Sequence, residues 1–187
     1  NLTISVIPCC VDLGHFNYSK ILAEDKETLK NQLGINQSKK IITYLGSVGG
    51  WYMTNEMFSF FSTLCRQNPD FVMMVLTKDD PGKVKNEANR YGIASDKIIV
   101  QYVGRKELPL YLSISDCSIF FIRPAYSKIA SSPTKHAELM GMGIPVICND
   151  IGDTGTVIKK TNTGLVVKEF TEEAYNAAIE LLPGLVS

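Results

Sequence analysis

Ile41-Ile42-Thr43-Tyr44-Leu45-Gly46 opens the stretch that decides the fold, and Phe71-Val72-Met73-Met74-Val75-Leu76-Thr77 closes it. Both are continuous apolar runs rather than in-out alternations, as strands covered on both faces require. Between them Met57, Phe61, Leu64 and Cys65 fall at i, i+4, i+7 and i+8, one apolar stripe along a helix. Asn68-Pro69-Asp70 stops that helix and opens the second run.

The same alternation continues towards the C-terminus. Apolar runs occupy 98–103, 117–122 and 145–148, and a weaker one 164–167. The helical segment from Pro81 to Tyr91 ends at Gly92, a residue suited to a helix C-terminus. This alternation predicts an α/β fold: a doubly wound, Rossmann-like parallel sheet of about six strands with helices on both faces. Such sheets bind ligands in the crevice beyond the strand C-termini, at the switch point. Functional residues are therefore expected in the loops just after the strands. Residues 1–40 read differently, as a linker and lead-in with one strand over 4–8 and a charged helix over 20–33. A single domain then covers 41–187, with no internal repeat and no low-complexity segment.

The 187 residues are 45% hydrophobic and 20% charged, enough for one core and too little charge for a disordered chain. Nineteen Lys and Arg balance nineteen Asp and Glu. The excess positive charge needed by a sequence-independent nucleic-acid binder is missing, so no nucleic-acid partner is expected. No apolar run approaches the ~20 residues that cross a bilayer. The cysteines (Cys9, Cys10, Cys65, Cys117, Cys148) are odd in number and contain no C-x-x-C pair. Neither structural zinc nor a disulfide framework is supported, and the reading is a reduced, cytoplasmic protein. Asn1, Asn17 and Asn36 open short glycosylation patterns that need a secretory context. A chain beginning at Asn1 reads as a piece of a longer protein.

The chemistry concentrates in Ser131-Ser132-Pro133-Thr134-Lys135-His136-Ala137-Glu138. Ser132 supplies a hydroxyl cap and Pro133 a first helical residue. The N–H groups of a helix start suit a diphosphate, and Lys135 adds a full charge. Glu138, three residues on, could accept hydrogen bonds from a ribose diol. The plainer alternative is a capped helix with a solvated Lys135–Glu138 pair. Gly46-Ser47-Val48-Gly49-Gly50 follows the first core strand as a phosphate-cradling loop would, but lacks the G-x-G-x-x-G spacing and the P-loop lysine. Val103-Gly104-Arg105 follows the third strand, where backbone could read a base and Arg105 could meet phosphate or sit at the surface. Asp153 or Thr154 is a candidate cap for a helix continuing to Lys160. With only His15 and His136, no Ser-His-Asp set is evident, and His136 is expected on a helix surface. No cluster has metal-ligand spacing. Trp51-Tyr52 could stack a ligand or simply pack.

Val6-Ile7-Pro8-Cys9-Cys10-Val11-Asp12 resembles the V-I-P-N-G-V-D linker of GT-B glycosyltransferases, with cysteines replacing Asn and Gly. Ser131 to Glu138, followed by Met140-Gly141-Met142-Gly143-Ile144-Pro145-Val146-Ile147, is similar to the S-P-T-K-x-x-E-x-x-A-x-G-x-P-V-I signature of retaining glycosyltransferase family 4. The resemblance covers nearly the whole chain. It implies the C-terminal, nucleotide-sugar-binding half of a two-domain enzyme whose N-terminal acceptor domain lies outside this chain. By the same match Glu138 holds the ribose, while Ser131, Ser132, Thr134 and Lys135 meet the diphosphate. Gly46 and Ser47 border the phosphates, and Val103 with Gly104 lies near the base.

The implied reaction transfers a sugar from a nucleoside-diphosphate sugar to a glycan or lipid-linked acceptor, with retention, in bacterial polysaccharide synthesis. It needs no cofactor and no metal. The implied setting is the cytoplasm, or the inner face of the membrane through the other half. Two family features are replaced. Ala130 stands where many relatives carry a glutamate for the donor sugar, and Ser47 and Trp51-Tyr52 stand near the usual basic pair. Lys128, Lys135 and Arg105 remain as candidate cations beside the leaving diphosphate, and the isolated domain is expected to bind without catalysing. A GT-B epimerase on a nucleotide sugar and a degenerate, non-catalytic α/β binding domain are the rivals. A phosphoacceptor receiver fails, because Gly46 and Ser47 stand where it needs acids.

Overall fold

The structure, a computed structural model, describes residues 3, 5 and 7–186. Strands β1 (Lys40–Leu45), β2 (Phe71–Leu76), β3 (Ile98–Gln101), β4 (Cys117–Phe120), β5 (Val146–Asn149) and β6 (Gly164–Val167) form one sheet. Their order is β3-β2-β1-β4-β5-β6, and every pairing is parallel. Each of the six apolar runs overlaps one strand, with ends that differ by at most two residues. All six residues of β2 are buried, which is why its sequence shows no alternation.

Seven α-helices lie among the described residues: α1 (Ala23–Gln32), α2 (Thr54–Gln67), α3 (Pro81–Arg90), α4 (Leu108–Ser113), α5 (Thr134–Gly141), α6 (Thr154–Thr161) and α7 (Glu172–Leu181). Asp80 starts α3 by accepting the Lys83 N–H at 2.8 Å, with Pro81 in the first turn. Right-handed crossovers put α2 and α3 on one face and α4 to α6 on the other. α7 packs on α2, and α1 packs on α4. The sheet is doubly wound, as expected. Its order reverses between β1 and β4, so the loops 46–53 and 121–133 part there and open the crevice.

Of the strand expected over 4–8, Ile4 and Val6 lie outside the described residues. Ser5, Ile7 and Pro8 belong to no strand, and Ile7 is 80% exposed with no sheet edge to pair with. Further along the lead-in, Phe16, Leu29 and Ile35 are buried within the same core as the sheet. Phe16→Ala should therefore cost about 3–5 kcal/mol in denaturant unfolding, as loss of a core phenylalanine does. A cost under about 0.5 kcal/mol would mark the lead-in as mere linker.

Asn149, the last residue of β5, fixes how the chain leaves β4. Its Oδ1 accepts the Ile122 N–H at 2.8 Å and its Nδ2 donates to the Ile122 carbonyl at 2.7 Å. A side chain thus completes the backbone pairing where the strands have ended. All five cysteines are free. Burial pushes the Cys148 thiol up to about 12, so it stays protonated and packs as a small apolar residue. Among the described residues no helix is long and apolar enough to cross a membrane.

Candidate functional site

The turn after β1 is pinned from three directions. The Tyr44 hydroxyl donates to the Ser47 carbonyl. Asp79 Oδ2 accepts the Val48 N–H at 2.6 Å and the Thr77 hydroxyl at 2.7 Å. The Val48 bond, then the Thr77 bond, hold the Asp79 carboxyl below the usual range, so it is ionised at neutral pH. The Gly49 N–H donates to Thr54 Oγ1 at 2.7 Å, tying the turn to the first residue of α2. Gly46 (φ 138°) allows this path, and a Cβ there would collide with Lys135 Nζ. Beside the turn lies a cavity of about 320 Å³ lined by Gly46, Ser47, Thr77, Lys78, Tyr102 and Val103.

Lys135 enters that region from the first turn of α5. The helix starts one residue later than expected: Pro133 is the N-cap and no side chain caps the helix. Ser132 lies one residue before the cap, and its Oγ accepts the Cys9 N–H at 3.0 Å instead. The first N–H groups of α5 therefore have no side-chain acceptor. Lys135 Nζ is buried with no hydrogen-bond partner. It lies 3.6 Å from the Tyr52 ring centroid, 4.9 Å from that of Tyr44 and 5.9 Å from that of Phe120. Burial pulls its pKa from 10.5 down to about 7, partly opposed by Glu138. Aromatic faces favour the ammonium but replace none of its hydrogen bonds.

Lys135 and Glu138 do not form the solvated pair that their spacing allows. Glu138 is buried and instead accepts from Arg105 Nη1 at 2.8 Å. Arg105 reaches over from the segment after β3, its guanidinium 5.2 Å from the Phe16 ring centroid. Its carbonyl meets His15 Nε2 at 2.8 Å. The Gly104 carbonyl accepts the Glu107 and Leu108 N–H groups, which starts α4. His136 corrects the expectation of a surface residue. It is 4% exposed because it precedes Leu139 by three positions and shares that residue's core-facing side. Its ring meets Phe120 edge-on at 5.7 Å, and burial lowers its pKa, favouring the neutral ring.

The loop after β4 carries the remaining candidates. The Ser131 N–H donates to the Lys128 carbonyl at 3.0 Å, and its own carbonyl accepts the Asp153 N–H at 3.1 Å. Gly152 allows this approach, since a Cβ there would strike Ser131. Lys128 Nζ lies 4.7 Å from the Trp51 ring centroid, and the Arg123 N–H donates to the Trp51 carbonyl at 2.8 Å. Thr134 is exposed at the start of α5. Neither expected cap of α6 acts as one: Asp153 makes no capping bond, and the Thr154 hydroxyl donates to the Asn149 carbonyl at 2.7 Å.

Gly46, Ser47 and Val103 thus line one cavity, Lys135 meets the Gly46 turn, and Arg105 meets Glu138 one turn further along α5. Ser131, Ser132 and Lys128 stand on the other side of the crevice mouth, held by backbone contacts. Sequence reasoning missed the aromatic cage of Tyr44, Tyr52 and Phe120 and the Asp79 brace. Tyr44 and Phe120 read as ordinary strand residues, and only Tyr52 carried a signal.

Residues 25–183 match the profile of the family described as Glycosyl transferases group 1. The chain is 25% identical over 175 residues to a candidate teichuronic acid biosynthesis glycosyltransferase, TuaC, of Bacillus subtilis. That match takes in 94% of this chain and 40% of the relative, so the chain spans well under half of it. Among solved structures it superposes on WaaG, a glycosyltransferase involved in lipopolysaccharide biosynthesis, with TM-score 0.72 at 18% identity, over 95% of this chain and 46% of that one. It also superposes on the C-terminal domain of a glycosyl transferase group 1 family protein, LpcC, from Francisella tularensis, with TM-score 0.67 at 15% identity, over 93% and 88%. These neighbours place the fold with the C-terminal domains of GT-B glycosyltransferases. The chain belongs to the glycosyl transferases group 1 family.

Proposed function

We propose that this chain is the donor-binding half of a retaining GT-B glycosyltransferase, taking a nucleoside-diphosphate sugar and serving bacterial polysaccharide synthesis. The observation that carries the reading is Lys135: a buried side-chain nitrogen with no hydrogen-bond partner, beside an uncapped helix start, at the switch point of the sheet. A diphosphate satisfies all of these at once. It accepts from the first N–H groups of α5 and from Lys135, and it needs the close approach that Gly46 allows. The ribose hydroxyls then bind Glu138, displacing Arg105, which is free to turn to phosphate. The base lies against Val103 and Gly104, in the cavity that reaches Tyr102. The teichuronic acid relative supports a polymer product, and its greater length is in keeping with an acceptor held by a second domain.

In this reading the bond between the anomeric carbon and the β-phosphate oxygen breaks, and negative charge grows on that oxygen. Lys135 and the helix N–H groups are already fixed where the charge appears, so they stabilise the transition state more than the bound donor. The acceptor hydroxyl bonds to the anomeric carbon and passes its proton to the departing β-phosphate oxygen. The full-length enzyme, incubated with donor and a glycan or lipid-linked acceptor, should yield a glycoside of retained configuration and free nucleoside diphosphate. Isomerised nucleotide sugar with no transfer would contradict the assignment.

A pH dependence follows from the burial of Lys135. Above pH about 7 the unliganded amine is neutral, whereas the diphosphate-bound form is ammonium. Binding at pH 8 should therefore take up a proton, and affinity should fall as pH rises from about 7 towards 9. Calorimetry in buffers of different ionisation enthalpy reads this directly, and equal heats in all buffers would exclude it.

A further inference from the structure

The cavity of about 320 Å³ beside the Gly46 turn lies at the low end of ligand pockets, about 300–1,000 Å³, and suits one flat ring system rather than a whole nucleotide. Its walls are largely apolar, with Leu45, Leu76 and Val103 among them. Asp79 lines it too, and among the described residues it is the one carboxylate there. Both bonds that this carboxylate accepts fall on Oδ2, from the Val48 N–H at 2.6 Å and the Thr77 hydroxyl at 2.7 Å. Oδ1 accepts none among the described residues, so about half of the group's roughly four acceptor sites stay open. The next acid along the chain is committed elsewhere: Asp80 Oδ1 accepts the Lys83 N–H at 2.8 Å and starts α3.

Bracing the turn does not by itself call for a charge. One oxygen carries both bonds, and an asparagine in the same place would supply that oxygen. The cavity and Lys135 Nζ both touch Gly46, so a nucleotide anchored at Lys135 reaches this cavity with its base. An ionised carboxylate there repels the diphosphate end unless the ligand brings hydrogen-bond donors of its own. The Watson–Crick edges decide which base does so. Guanine presents two adjacent donors, N1–H and N2–H₂, beside the O6 acceptor. Uracil has a single donor between two carbonyl oxygens, and adenine and cytosine set an amino group beside a bare ring nitrogen. Each of these brings a lone pair against a carboxylate oxygen. On the same wall Lys78 Nζ stands 5.8 Å from the Tyr102 ring centroid and makes no ion pair among the described residues, which leaves it a donor for O6.

We infer that the base of the bound nucleotide is guanine and that Asp79 selects it, Oδ1 accepting from N1–H and N2–H₂ while Oδ2 keeps the turn in place. The inference rests on the nucleoside-diphosphate reading of Lys135 and α5. Selection comes from a difference of affinities. The right base gains charge-assisted bonds to the carboxylate, and a wrong one sets acceptor against acceptor and leaves the cavity's polar atoms unpaired.

The test compares GDP, IDP, XDP, UDP and ADP by calorimetry on the protein and on Asp79→Asn, with inorganic pyrophosphate as the reference that has no base. GDP should bind at least about tenfold more tightly than IDP, which lacks only the N2 amino group, and at least about 100-fold more tightly than UDP, ADP or XDP. In Asp79→Asn the amide oxygen takes over the two turn bonds, and Nδ2 then meets the base as a donor. XDP, with a carbonyl oxygen where guanine has its amino group, should therefore become the tighter ligand of the two, while pyrophosphate affinity stays within about twofold of the parent. A residue that only braces the turn cannot invert that ratio. Loss of every nucleotide in Asp79→Asn with no gain for XDP, or an unchanged preference for GDP, overturns the inference. A parent that binds UDP or ADP most tightly, or GDP and IDP alike, overturns it too and leaves the nucleotide reading standing. Binding of none of the five nucleotides overturns that reading and the inference with it.

Discussion

Lys135→Met should lower affinity for the cognate nucleoside diphosphate by about 100-fold and leave the unliganded protein at least as stable as its parent. The two effects have one origin. The ammonium is buried among Tyr52, Tyr44 and Phe120 without a hydrogen-bond partner, an arrangement that favours the neutral amine and costs stability when charged. Methionine fills the same space, makes sulfur–aromatic contacts and removes the burial cost. The diphosphate in turn loses a charge-assisted bond of about 3 kcal/mol in a shielded place, equivalent to roughly 100-fold. The effect on stability carries a pH signature. The folded-state pKa lies below the unfolded value of 10.5, so the unfolded chain binds more protons between pH about 7 and 10.5. The parent therefore gains stability with rising pH across that window, whereas Lys135→Met does not. Calorimetric binding and thermal unfolding at pH 6 and pH 9 read both parts. A destabilised variant that still binds would mean Lys135 is a packing residue.

Glu138→Gln should weaken nucleoside diphosphate binding by about 10- to 100-fold while changing inorganic pyrophosphate affinity by less than twofold. The carboxylate is buried and now holds Arg105 at 2.8 Å. In the bound state its two oxygens face the ribose diol, and a carboxylate acceptor loses about 1.5–3 kcal/mol when made an amide. Pyrophosphate has no ribose, and the substitution leaves Lys135 and the α5 N–H groups in place. The contrast between the two ligands isolates the sugar-binding role from any general loosening of α5. Equal losses for both ligands would mean that Glu138 acts only by positioning the helix. An unchanged nucleotide affinity would remove it from the site.

The fold was readable in the chain because its strands are covered on both faces. β2 is buried at every position and β1 at four of six, so both appear as unbroken apolar runs. The lead-in was harder, because α1 buries Leu29 alone among ten otherwise polar or exposed residues. Phe16 and Ile35 stand singly among polar neighbours, and nothing in their spacing shows that they complete a core. For the site, the start of α5 was legible from Ser132-Pro133-Thr134-Lys135 to within one residue. The Lys135 surroundings were not, since Tyr44, Tyr52 and Phe120 come from three separate segments that meet only through the β1–β4 pairing. The Arg105–Glu138 pair was hidden for the same reason. His136 was misread because its neighbours Thr134 and Lys135 look like a solvent face, whereas Leu139 sets the side on which it lies.

The central claim is that the α5 start, Lys135 and the Gly46 turn form a nucleoside-diphosphate site. Titration calorimetry of the protein with UDP, GDP and ADP, without added metal, tests it most directly. Saturable one-to-one binding of one nucleotide, weakened about 100-fold in Lys135→Met, is the predicted result. No heat of binding from any of the three in a folded protein would contradict the claim.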